Sequence, residues 1–414
     1  MILLASCQVE KEADVLITNA RIYTADEEFN VFGAMAIKNH SIIDLGTPDE
    51  ILGKYKTNWL IDAGGNYIYP GFIDGHCHFH GFAMNKYQQI ELRGTQSYQE
   101  ILELLSGHRD RPAGEWIIGR GWDQNDWPET EYPDKQELDI LFLENPVMLT
   151  RIDGHAVLAN SLALKMAGID ENTSIAGGKV LKKNGKISGI LIDNAADSLK
   201  NIIPELTSGQ KKIAFAKAEK MLFATGLTSV TDAGLEYETI ELLRDMYGNA
   251  QLKIRVNAML SPTEDNLQHY LSKGPFLGER LTVRSLKLYA DGALGSRGAL
   301  LLEPYSDDHD NYGLQINTRE YYLDWLQKAY DYGFQVCTHA IGDSANRLML
   351  DLYSQILKSE NDRRWRIEHA QVVHTKDFEV FGKYNIIPSI QSTHCTSDMY
   401  WADERLGPER IKTA

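Results

Sequence analysis

Short apolar and β-branched runs recur along most of this chain, and amphipathic stretches separate them. The runs fall at residues 68–78, 227–233, 253–260, 285–291, 335–341, 365–370 and 385–394. Helical spacing marks 209–225, 319–332, 344–358 and 376–383 between them. A strand that is apolar at nearly every position is buried on both faces, the signature of a parallel sheet covered by helices. Seven such strands in β/α alternation predict an α/β fold of the TIM-type (β/α)8 barrel kind, with the eighth strand missing after Ala414. An open doubly wound sheet is the alternative. It is disfavoured because no G-x-G-x-x-G phosphate turn follows any strand.

Residues 14–67 have a different rhythm. Val15-Leu16-Ile17, Arg21-Ile22-Tyr23-Thr24, Ala34-Met35-Ala36-Ile37 and Ser41-Ile42-Ile43-Asp44 are short strands between closely spaced turns. They predict a small β-sandwich portion that needs strands from elsewhere in the chain. The barrel then occupies 68–414. Residues 85–205 interrupt it after its first strand, with a hairpin at Lys182–Ile187 and Asn184-Gly185 at the tip. An insertion on the loop face of a barrel shapes the substrate pocket.

The two ends carry signals of their own. Leu4-Ala5-Ser6-Cys7 fits a bacterial lipobox, and a polar tether follows up to residue 13. The basic and apolar regions of a full signal do not precede it. Two readings stand: a lipid anchor at Cys7 on a cell-envelope lipoprotein with an upstream signal, or the apolar start of a cytoplasmic protein. Near Ala414, Pro408 followed by Glu409, Arg410, Ile411 and Lys412 reads as a helix starting. Both ends therefore predict a truncated chain.

Composition narrows the partners. The 414 residues carry 42 basic and 58 acidic side chains, a net charge of −16. Such a surface repels phosphate backbones and leaves out sequence-independent nucleic-acid binding. Hydrophobic residues make up 43% and charged residues 24%, which leaves out a disordered chain or a coiled coil. No apolar run reaches the length of about 18 residues that a membrane span requires. The 4 cysteines are too scattered for a disulfide framework. A small-molecule substrate and a second copy of the chain, as a homodimer, remain as partners.

Histidines carry the chemical signal. His76-Cys77-His78 ends the first barrel strand, so the two imidazoles share a face. Barrel active sites lie at strand C-terminal ends, and two imidazoles are half of a zinc-type site. Asp74 has the same parity and is a candidate partner for one ring. His339 and His369 each end a later strand. Either alone reads as a packed core histidine. Four histidines at three strand ends converge on one metal sphere. Lys287 lies inside an apolar strand, where burial lowers its pKa and makes the amine nucleophilic. Beside divalent metals such an amine can take up carbon dioxide as a carbamate, an anionic two-oxygen ligand. Pairing of Lys287 with Asp291 or Glu368 is the plainer reading, and the residues alone leave both open.

Four segments together resemble the amidohydrolase superfamily, in the right order and across essentially the whole chain. They are Pro70-Gly71-Phe72-Ile73-Asp74-Gly75-His76-Cys77-His78, Lys287-Leu288-Tyr289-Ala290-Asp291-Gly292-Ala293-Leu294-Gly295-Ser296-Arg297-Gly298, Thr338-His339-Ala340-Ile341-Gly342-Asp343 and Arg366-Ile367-Glu368-His369-Ala370. More narrowly, they resemble the branch with N-substituted formamide deformylase and YtcJ-like hydrolases. The resemblance implies a β-sandwich joined to a metal-bearing barrel. It implies that His76 and His78 bind one divalent ion, that Lys287 bridges as a carbamate to a second, and that His339 and His369 complete the second site. Zinc is the first expectation, although the ligands also suit iron, nickel or manganese. The implied reaction is hydrolysis of a C–N bond, amide or N-substituted formamide-like, by a metal-activated water.

Gly121-Trp122-Asp123-Gln124, Asp153-Gly154-His155 and Gln391-Ser392-Thr393-His394 resemble pocket motifs of the same branch. They make Asp123, His155 and His394 the catalytic candidates outside the metal set. Ser392 stands where the branch commonly has proline. His155 and His394 would hydrogen-bond the substrate or its developing oxyanion. Plain packing of the insertion is the alternative. The family's proton-transfer aspartate, at the end of an eighth strand, has no counterpart in this sequence. A catalytically inactive fragment that keeps its metal ligands is therefore the competing reading.

Overall fold

A parallel sheet runs in chain order through β1 (Phe72–Cys77), β2 (Leu227–Leu235), β3 (Arg255–Leu260), β4 (Leu281–Tyr289), β5 (Gln335–Ala340), β6 (Arg366–His369) and β7 (Ile387–Ser389). The computed structural model describes residues 11–175 and 177–414, and the Leu4–Cys7 motif lies outside them. The seven strands make a nearly closed barrel, with β1 and β7 at the two ends of the ladder. Phe276–Leu277 pairs antiparallel with β4 as a side strand. The predicted strands fall where the apolar runs are, but two are cut short. The run 68–78 splits, with Tyr67–Ile68 in another sheet and only Phe72–Cys77 in the barrel. The run 385–394 leaves the ladder at Ser389, because the backbone turns: His394 N–H bonds Gln391 O and Cys395 N–H bonds Ser392 O, each at 3.1 Å. His394 therefore starts a short helix, His394–Ser397, instead of ending a strand.

The chain divides into two compact units, one of residues up to 73 with 226–229, the other of 74–225 with 230–414. In the first, Val15–Thr18, Ala34–Lys38, Ser41–Gly46 and Leu60–Asp62 form one sheet, and Arg21–Tyr23, Val31–Phe32 and Tyr67–Ile68 another. The strand-rich reading of 14–67 misses a helix at Pro48–Lys54. Its start is explicit in the residues: Thr47 and Glu50 form a capping box and Pro48 opens the first turn.

The second unit buries its largest apolar cluster around the barrel strands, with Phe215, Leu286, Val336, Tyr353 and Trp365 fully enclosed. The helix Asp343–Leu357 shows the pattern. Asn346, Met349, Leu350, Tyr353 and Leu357 recur every three or four residues and all are buried. Its cap is Gly342, where a Cβ would stand 2.0 Å from the carbonyl oxygen of Leu300. That close backbone approach packs the loop after β4 against the end of β5, three residues past His339.

The insertion is a sheet in its own right. Its strand order is Gln89–Glu91, Ile117–Trp122, Val147–Arg151, Ala156–Ala159, Lys186–Asp193 and Gly178–Lys183. The predicted hairpin is present, with Asn184 and Gly185 at φ 54° and 80°, the left-handed pair a tight I′ turn requires. No helix among the described residues is long and apolar enough to cross a membrane. Gly342→Ala should destabilise the protein by about 1–3 kcal/mol through overpacking. Urea unfolding reads this directly, and an unchanged midpoint would contradict the tight approach.

Candidate metal centre

Strand register sets the level of each side chain. Cys337 on β5 lies opposite Lys287 on β4, and His339 lies opposite Tyr289 on β4 and Glu368 on β6. Lys287 is therefore two residues deeper than His339. The imidazoles gather above it. Ring centres stand 5.7 Å apart for His76 and His78, 4.8 Å for His76 and His369, and 4.6 Å for His339 and His369. Two imidazoles sharing a tetrahedral ion, with metal–nitrogen bonds of about 2.0–2.1 Å, have ring centres about 5 Å apart. The observed spacings bracket that value. As the side chains are placed, no three His, Cys, Asp or Glu groups among the described residues converge on a single ion position. The donor set thus fits a divalent cation in type and ring spacing, while its ligand atoms are not closed around one point.

Burial sets the charge states. Burial first, then repulsion from His339, Lys287 and His76, pushes His369 down to about 3. Burial and Lys287 push His339 down to about 4. His78 is lowered by burial and by the charges of His76 and Lys287. Neutral imidazole is the form that binds a metal. Lys287 is 1% exposed, and burial pushes its amine down to about 8 against the opposing pull of Glu368. It makes no ion pair among the described residues, and its Nζ stands 5.1 Å over the Tyr289 ring. Asp291, offered above as a partner, is engaged elsewhere. It accepts backbone N–H bonds from Leu300 at 2.9 Å, Ile341 at 3.0 Å and Gly342 at 2.8 Å, and so ties the loops after β4 and β5 together.

The partners that orient the rings are Glu368 and Gln391, neither of them expected in that role from the sequence. Glu368, fully buried, brings Oε2 to 2.5 Å from His76 Nδ1 and receives Arg366 at 2.6 and 2.7 Å. Burial drives this carboxyl up, but the bonds from His76 and Arg366 outweigh it and hold the group at about 2. Asp74 does not support an imidazole. Its carboxylate folds back onto the His76 backbone N–H at 3.0 Å, the local bond that short acidic side chains favour. His369 Nδ1 bonds Gln391 Oε1. With each Nδ1 engaged, Nε2 of His76 and of His369 is left for a ligand. His369 and Ala370 both have positive φ, 71° and 44°. Consecutive strained residues at a strand end are a mark of functional sites.

The other candidates separate. His394 joins the cluster, 5.9 Å from His369 between ring centres. Its Nδ1 lies 2.9 Å from Asp398, which also accepts Gln371 Nε2 at 2.8 Å, and its Nε2 is buried without a partner. Both histidines line a cavity of about 450 Å³ walled by Val373, Phe378, Phe381 and Ile390. His155 and Asp123 are not brought there by any contact among the described residues. His155 is exposed and pairs with Asp193 at 3.0 Å. Asp123 pairs with Arg151 at 2.5 Å and caps the turn Gln124–Asp126 through the Asn125 N–H. Asp232 is a further buried carboxyl on β2. Burial pushes it up to about 7, and it accepts the His80 N–H at 2.8 Å. A carboxylate inside a β-branched run, as with Lys287, is the signal that marks it.

Comparison with known proteins agrees with this picture. Residues 60–414 match the amidohydrolase family. The Bacillus subtilis protein YtcJ, whose name assigns it only provisionally as an amidohydrolase, is 32% identical over 401 residues, covering 95% of this chain and 75% of its own. The N-substituted formamide deformylase of Arthrobacter pascens is 25% identical over 389 residues, covering 87% of this chain and 70% of its own. The crystal structure of an uncharacterised metal-dependent hydrolase from Pyrococcus furiosus superposes with a TM-score of 0.77 at 28% identity, over 97% of this chain and 81% of that one. With the motifs in order on one nearly closed barrel and the match running from residue 60 to 414, this chain belongs to the amidohydrolase family, in its YtcJ-like branch.

Proposed function

We propose that this protein hydrolyses a C–N bond of a small amide or N-substituted formamide, with divalent ions held by His76, His78, Lys287, His339 and His369. The observation that carries this reading is the set of ring spacings, 4.6 to 5.7 Å, among four histidines at the C-terminal ends of three strands around a buried lysine. The deformylase among the relatives supports the choice of bond. A bound divalent ion supplies Lewis-acid polarisation of the carbonyl and lowers the pKa of water.

The chain's own residues prepare that chemistry. Glu368 and Gln391 fix the ring orientation of His76 and His369, so that the free nitrogens face the site without a rotamer search. Lys287, held near 8 by burial, keeps a fraction of neutral amine at physiological pH. That amine can add to carbon dioxide: an N–C bond forms, one proton leaves to solvent, and an anionic two-oxygen group remains. His394 has a different task. Its Nδ1–H is assigned to Asp398 from the hydrogen-bond geometry, so Nε2 is an acceptor. This tautomer suits taking a proton from the attacking water and passing it to the leaving nitrogen. It suits the oxyanion role less well. The apolar wall beside it suits an apolar N-substituent.

His76→Ala and His369→Ala should each lower metal content and turnover together, measured by elemental analysis and by amine release from a panel of N-substituted formamides. Full occupancy in either variant removes that residue from the ligand set. A chain that holds metal but releases no amine from any member of the panel would favour the inactive reading. Protein equilibrated with 13C-bicarbonate should show a carbamate resonance that Lys287→Met abolishes. Its absence from metal-loaded protein would sink the bridging role. His394→Ala should keep its metal and lose roughly 10²–10⁴-fold in kcat, the contribution of one proton-transfer group. Loss of metal in that variant would instead make His394 a ligand.

A further inference from the structure

His394 presents an acceptor nitrogen, and His155 makes no contact with the histidine cluster among the described residues, so neither supplies a donor to a substrate carbonyl. Tyr289 stands where such a donor is needed. It ends β4, two residues past Lys287 and on the same face of the strand. It lies opposite His339 in the register, and its ring centre is 5.8 Å from that imidazole. Lys287 Nζ is 5.1 Å from the same ring centre. The phenol therefore belongs to the wall of the candidate centre, at the level of its imidazoles. Tyr289 is 38% exposed, and among the described residues its hydroxyl has no hydrogen-bond partner. The hydroxyls of Tyr247, Tyr305, Tyr322 and Tyr353 each donate to a backbone carbonyl, at 2.6, 2.8, 2.9 and 3.0 Å. Those four bonds tie their rings into the fold, whereas the Tyr289 hydroxyl is left for solvent or a ligand.

Gly234, near the end of β2, makes room for that hydroxyl. A Cβ there would stand 3.1 Å from the Tyr289 hydroxyl oxygen, 3.7 Å from Ser261 Oγ and 3.9 Å from Lys287 Cγ. The phenol thus reaches from β4 across the end of β3 to β2, and its oxygen and the Lys287 stem flank one point. We propose that the Tyr289 hydroxyl donates a hydrogen bond to the carbonyl oxygen of the substrate, as a catalytic residue. The proposal rests on the amide-hydrolysis reading for its substrate class. A phenol keeps its proton at neutral pH and so is a donor. As the water oxygen bonds the carbonyl carbon, the π pair moves onto the carbonyl oxygen. Tyr289 keeps its proton and tightens its bond to the oxyanion that results. A bond that is stronger in the transition state than in the ground state raises kcat and leaves KM little changed.

N-Benzylformamide, labelled with 13C at its carbonyl, is the probe for metal-loaded protein. Tyr289→Phe keeps the ring and removes only the donor. It should retain its metal and its KM, while kcat falls roughly 10²–10³-fold, the loss of one oxyanion donor. A second readout does not depend on turnover. In a His394→Ala background, which slows hydrolysis, isotope-edited infrared spectroscopy follows the carbonyl stretch of the bound probe. Adding Tyr289→Phe should move that band to higher wavenumber, because the carbonyl loses a hydrogen bond. An unmoved band overturns the proposal, as does an unchanged kcat in Tyr289→Phe, and in either case hydrolysis by the parent leaves the wider reading standing. A Tyr289-dependent band in a protein that never hydrolyses the probe upholds the contact and removes the hydrolytic reading instead. The absence of any bound band removes both. Should Tyr289→Phe not fold, Gly234→Ala, whose methyl displaces the hydroxyl, decides the matter by the same band.

Discussion

Glu368 is a carboxylate with no solvent exposure inside an apolar barrel, and the candidate centre is arranged around that fact. Taking such an ion out of water costs several kcal/mol even after the surroundings relax. Arg366 answers with two charge-assisted bonds and His76 with a third. The same guanidinium also reaches Gly75 O on β1 at 2.8 Å and Ser389 Oγ on β7 at 3.0 Å. One arginine therefore links the two ends of the ladder, where backbone pairing does not. An apolar pair of equal volume could fill this space at similar stability. It could not aim the His76 ring, which is the reason to keep ions here.

The second consequence concerns Lys287. Its ammonium is unfavourable because of burial, and it in turn pushes His78, His339 and His369 toward the neutral form. A buried cation thus keeps its neighbours ready as ligands while remaining poorly solvated itself. Conversion to an anion beside arriving cations would relieve both effects at once.

Strand parity is what makes the candidate centre legible in the sequence. His76, His78, His339 and His369 end apolar runs, and such runs have their active ends together in a barrel. Lys287 announced itself as a charge inside a strand. Asn184-Gly185 announced its hairpin because a I′ turn tolerates few other pairs. The partners were not legible for a definite reason. Glu368 and His76 are 292 positions apart, and their contact exists only because the ladder nearly closes. Parity suggested Asp74 instead, which is near in sequence but bonds the backbone. The turn at Gln391 was hidden by Ile386 to Ile390, whose apolar run reads onward as strand. The helix Pro48–Lys54 spans only two turns and was overlooked among strands, although its capping box was visible in Thr47 and Glu50.

Asp123, His155 and His394 entered together by resemblance, and geometry divides them. His155 and His394 each pair through Nδ1 with an aspartate, at 3.0 and 2.9 Å, so local geometry does not distinguish them. Exposure does. The His155 side chain is 74% exposed, so water satisfies its far nitrogen and screens its pairing. His394 is 25% exposed, and its far nitrogen is buried, unpartnered and beside His369. A histidine–aspartate pair orients an imidazole in either place. Of the three, only His394 combines that pairing with a far nitrogen that is buried beside the histidine cluster, so it is the one that the geometry groups with the candidate centre.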